Sequence, residues 1–138
     1  MEQKDYLLRE IEKMGLILIA IRQKLFGGKE NLSITLENQF EAAKNMLLNG
    51  TDFDLDKFLT LNIEESNEYI CRFKGFNVEN IELLAEYISQ IGFSDKSQKH
   101  LEKALQLYEL CDLKSKTYSV ERETNIEAIK NTLDTILN

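Results

Sequence analysis

VENIELLAEYISQIGFSDKSQKHLEKALQLYELC (Val78–Cys111) is the stretch whose reading decides the fold. Ile81, Leu84, Ala85 and Ile88 recur at the spacing of one helical face. Ser97, Leu101 and Ala104 do the same further on. The pattern predicts two helices, Val78–Ile91 stopped by Gly92 and about Lys96–Ser115, paired through alternating small and large residues.

Working outward, the same period fills most of the chain. A helix is expected over Gln3–Phe26, with Leu7, Ile11, Met14, Leu18, Ile21 and Leu25 in steps of four and three, an a/d stripe. In its middle, Leu16 to Ile21 is apolar all round, and a helix apolar on every side must be covered on every side. Gly27 and Gly28 are read as its end. A second helix, about Leu32–Asn49, carries Leu36, Phe40, Ala43 and Leu47 on one face, with Gly50 after it. A short helix, Asp54–Leu61, presents Leu55, Phe58 and Leu59. Asn62 and Glu65 have the spacing of a capping box opening a fourth helix, whose face is Ile63, Ser66, Ile70 and Phe73 and which Gly75 closes. A last helix, about Ser119–Leu137, turns Ile126, Ile129, Leu133 and Ile136 inward. Gly15 alone among the six glycines falls inside a predicted helix, where its missing Cβ allows a close crossing.

Composition agrees. There is no proline, and hydrophobic residues make up 43% of 138 positions, which suits long helices with short connections around one core. The expected fold is all-α: six to seven antiparallel helices in a single domain, 1–138, with a long N-terminal helix (1–28) and a C-terminal helical hairpin (77–115).

The hairpin resembles one tetratricopeptide (TPR) unit, carried by Ile81, Leu84-Ala85, Ile88, Ser97, Leu101 and Ala104. The family's closing proline is absent, Glu109 standing in its place. Asp5-Tyr6-Leu7-Leu8-Arg9-Glu10-Ile11-Glu12 also resembles the start of a family of uncharacterised bacterial proteins that join such a helix to a TPR-like hairpin. The resemblance implies protein–protein interaction and brings no catalytic residues with it.

The net charge is −7, and its acid is concentrated: residues 30–95 carry thirteen acidic and four basic side chains. Such a surface repels phosphate backbones, so no nucleic-acid partner is expected. Leu16–Ile21 is too short for a signal-peptide core or a membrane span, so a soluble, cytoplasmic protein with no membrane partner is expected. Cys71 and Cys111 lie in apolar helical patterns with no C-x-x-C, which reads as two buried free thiols in a reducing compartment.

Glu79, Glu82, Glu86 and Ser89 lie opposite Ile81, Leu84 and Ile88. They are the expected partner-binding face, suited to a basic peptide or helix, with an ordinary solvated face as the plainer reading. The a/d stripe Leu7, Ile11, Met14, Leu18, Ile21 and Leu25 is the expected oligomerisation element of a homodimer, or else the buried face of the monomer's central helix.

Glu64, Glu65 and Glu68 with Glu79 and Glu82 superficially resemble the carboxylates of Mg²⁺-dependent all-α nucleotide pyrophosphatases. That is the alternative functional reading. At about 100° per residue, however, both groups point away from their helices' apolar faces. Asp52-x-Asp54-x-Asp56 lacks the glycine and the closing carboxylate of a calcium loop and reads as a helix start. His100, the only histidine, has no partner at ligand spacing. No cofactor, metal or catalytic set is therefore expected. The function expected is a non-enzymatic interaction or assembly module that binds a basic partner or associates with itself.

Overall fold

In the computed structural model, which describes residues 2–26 and 33–137, the fold is all-α. Seven helices are found among the described residues: α1 Glu2–Phe26, α2 Ser33–Thr51, α3 Leu55–Thr60, α4 Ile63–Arg72, α5 Val78–Asp95, α6 Gln98–Ser115 and α7 Val120–Leu137. Gly27, Gly28 and Leu32, and the side chains of Leu25 and Leu36, lie outside the described residues. None of the helices is long and apolar enough to cross a membrane. The chain divides into two compact units, Met1–Leu83 and Leu84–Asn138.

In the first unit α1 packs along α2. Met14, Leu18 and Ile21 of α1 and Ala43 and Leu47 of α2 are buried. Their four- and three-residue spacing keeps them on the covered side of each helix. The short helices close over an aromatic cluster centred on Phe53, which is fully buried. Its ring centroid lies 5.3 Å from Phe58, 5.4 Å from Tyr69 and Phe73, and 5.3 Å from Phe76. Tilted and edge-on rings at these distances add to the burial of their area. The Tyr69 hydroxyl accepts from the Asp54 amide at 3.1 Å, so the one polar atom of the cluster is satisfied.

Caps set the helix starts. Asn62 accepts from the Glu65 amide at 2.8 Å while Glu65 accepts from the Asn62 amide at 3.3 Å, the capping box read from the sequence. Asp54 caps α3 through the Lys57 amide. Lys44 of α2 reaches Asp56 of α3 at 3.1 Å and Glu41 at 2.9 Å. Hydrogen bonding to Glu41 and then to Asp56 raises the Lys44 pKa above its ordinary value.

In the second unit α6 and α7 pack together. Leu101, Ala104, Leu107, Tyr108 and Cys111 of α6 and Ile126, Ile129 and Leu133 of α7 are buried, as are Leu84, Ala85 and Ile88 of α5. Arg122 is buried and donates to Asp112 at 2.8 Å and to the Ser115 hydroxyl at 3.3 Å.

The structure corrects several boundaries. Helix α5 runs past Gly92 to Asp95, and α2 runs past Gly50 to Thr51. No described glycine has a positive φ; Asp52, Lys96 and Lys116 take the left-handed positions instead. Gly50 and Gly92 lie inside helices at points that another side chain approaches closely. A Cβ on Gly50 would lie 2.6 Å from Ile17 Cδ1, and one on Gly92 would lie 2.7 Å from Leu101 Cγ. Ser97 precedes α6 as its N-cap and accepts from the His100 amide. Ile63 is exposed, and so is Cys71; Cys111 is buried, and both thiols are free.

Candidate functional site

Helix α1 carries large aliphatic residues on its outward side as well. Leu8, Leu16 and Ile19 are 55%, 62% and 42% exposed. At the helical period they fall within an arc of about 80°, opposite Met14, Leu18 and Ile21. Exposed Glu12 and Asp5 fall inside the same arc, and exposed Arg9 lies at its edge. Scattered surface leucines are ordinary; here three large aliphatic side chains share one outward strip of the helix with two carboxylates.

The residues expected to oligomerise lie mostly elsewhere. Met14, Leu18 and Ile21 are buried in the protein's own core, Ile11 is half-buried, Leu7 is exposed, and Leu25 lies outside the described side chains. The stripe is therefore spent largely within the chain. The sequence did hold a signal for the outer patch. The all-round apolar run Leu16–Ile21 cannot hide every side against one neighbouring helix.

The expected partner-binding face is not one surface. Glu79 is exposed, but Glu82 and Glu86 are half-buried and engaged in interactions of their own. Ser89 is buried and donates to the Glu86 carbonyl at 2.8 Å. The helix turns Ser89 toward the interior because it follows Ile88 and precedes Ile91 on a helix apolar over much of its circumference.

Glu64, Glu65 and Glu68 of α4 are exposed, as the angular reading expects, and Glu65 is occupied in the capping box. Among the described residues no group of three His, Cys, Asp or Glu side chains could hold a metal ion. The Asp52-x-Asp54-x-Asp56 residues have separate tasks: Asp52 takes a left-handed backbone position, Asp54 caps α3 and Asp56 pairs with Lys44. His100 Nδ1 lies 2.7 Å from the Ser97 hydroxyl, a local capping contact.

One open cleft in the first unit holds about 190 Å³ and is lined in part by Glu10, Lys13, Asp52, Arg72 and Lys74. Three basic and two acidic groups nearly cancel there, so the cleft presents no strong field for ligands of one charge.

Comparison with protein families, with curated proteins and with solved structures finds no match for this chain.

Proposed function

We propose that this protein is a non-enzymatic interaction and assembly module whose docking element is the outward face of α1. The observation that supports this reading is the exposure of Leu8, Leu16 and Ile19 together on a helix already anchored by its opposite side. Fully burying such a side chain contributes roughly 1.5–3 kcal/mol. Each is about half exposed, so roughly half of that gain is still available to a partner from each residue. The rigid helix lowers the ordering cost of docking, because the anchored side has already fixed its backbone.

A photo-cross-linking residue placed at position 16 in cells tests the reading. It is expected to give a covalent protein adduct, whereas the same residue at the exposed Lys130 position of α7 gives none. Equal or absent adducts at the two positions would sink the proposal.

A further inference from the structure

Asn49 is the only asparagine of the chain that is followed by glycine. It is exposed and lies in the last turn of α2. We infer that Asn49 is a self-modification site. Its conversion to aspartate and isoaspartate is held back by the native turn and released when the first unit opens.

The reaction needs no reagent but water. The backbone nitrogen of Gly50 attacks the side-chain carbonyl carbon of Asn49. The side-chain amide takes the proton from that nitrogen and leaves as ammonia, and a five-membered succinimide remains. Water then opens the ring at either carbonyl. One opening leaves an ordinary aspartate; the other routes the main chain through the former side chain and leaves isoaspartate. Asparagine is chemically labile in proteins. Glycine after it hinders the attack least, because it has no Cβ and turns freely.

The native turn opposes ring closure. The peptide between Asn49 and Gly50 must swing toward the Asn49 side chain, and in a helix its nitrogen is instead turned along the axis. The turn is tied beyond that point. The Asp52 amide donates to the Leu48 carbonyl at 2.9 Å and the Thr51 hydroxyl to the Leu47 carbonyl at 2.7 Å. Ile17 of α1 lies against the glycine, where a Cβ would stand 2.6 Å from Ile17 Cδ1. Soon after comes Phe53, fully buried in its aromatic cluster. The reactive peptide is therefore freed only when the end of α2 opens, and helix ends open more readily than cores.

Neither product fits the native turn as asparagine does. Each brings a carboxylate into the last turn of α2, where the negative end of the helix dipole disfavours it. Isoaspartate also lengthens the main chain just before Gly50 and displaces that residue from Ile17. An opening event is thus recorded covalently, and the converted unit opens more easily afterwards.

Mass spectrometry of peptides from the full chain, incubated at mildly alkaline pH with and without urea, reads the reaction. In denaturing urea Asn49 is expected to be the first asparagine to convert, with isoaspartate as the larger product. A chain that leaves Asn49 intact there overturns the assignment. In the same urea, where folding plays no part, Gly50→Ala is expected to slow the conversion; an unchanged rate overturns the role of Gly50. The native chain is expected to convert Asn49 about tenfold more slowly or less, with the rate climbing as urea is added below the unfolding midpoint. Equal native and denatured rates overturn protection by the turn. Converted chains, separated by ion exchange and refolded, are expected to melt below the parent; equal melting overturns the loss of fit.

Discussion

Asn80 carries more of the first unit than an asparagine in the opening turn of a helix ordinarily does. It is 4% exposed. Its side-chain amide donates to the Ile11 carbonyl of α1 at 2.9 Å and to the Gly75 carbonyl at 2.7 Å. Its backbone amide donates to Asn77 Oδ1 at 3.0 Å, so one asparagine caps the helix that the other ties to α1. Gly15 makes room for this tie: a Cβ there would stand 3.1 Å from Asn80 Oδ1. Asn80→Ala removes the donor from two carbonyls in a buried setting. It is expected to lower the unfolding free energy by about 1–3 kcal/mol in denaturant titration. Nothing in the sequence marked this residue, because its acceptor on Ile11 is 69 positions away. Gly15 was legible as a close approach; what approaches it was not.

At the scale of elements, local chemistry accounts for most of the helix starts and tertiary contact for several of the stops. The Asn62–Glu65 capping box and the Asp54 cap are made within three residues, so residue type and spacing were enough to see them. The glycines misled for a physical reason. Gly after an apolar run commonly ends a helix through its left-handed conformation, yet Gly92 continues one and is chosen for its missing side chain. A Cβ at Gly92 meets Leu101 Cγ and Cδ2 at 2.7 Å and the Leu101 amide nitrogen at 3.1 Å. Gly92→Ala gains about 1 kcal/mol of helix propensity, but overpacking costs about 1–3 kcal/mol. Because the backbone nitrogen cannot move aside as a side chain can, net destabilisation is expected on thermal melting. Adding Leu101→Val is expected to recover part of the loss, a coupling that a purely conformational role for Gly92 would not produce.

For the whole molecule the decisive quantity is how much apolar surface stays uncovered. Leu8, Leu16 and Ile19 leave a gross gain of roughly 2–5 kcal/mol by area for a partner to realise. Association costs about 4–15 kcal/mol before any net affinity remains, so contacts beyond these three side chains must contribute to docking. Because Leu16 is 62% exposed, Leu16→Glu leaves the core untouched and is expected to change the unfolding free energy by no more than about 0.5 kcal/mol in denaturant titration. A loss of several kcal/mol would mean that this face is covered within the chain.

By itself the sequence determined that the chain is helical, about where each helix lies and how the short ones are capped. Those properties depend on the 3.6-residue period and on contacts a few positions apart. Only the tertiary structure decided which side of α1 is spent on the core. Met14, Leu18 and Ile21 are buried while Leu8, Leu16 and Ile19 are left outside, although both sets are apolar at helical spacing. It also decided that Ser89 is buried, that Glu82 and Glu86 are engaged, and that Phe53 gathers four aromatic rings around it. A helical period states which residues share a face. Which face is covered depends on the neighbour that packs there, and that neighbour is set by residues distant along the chain.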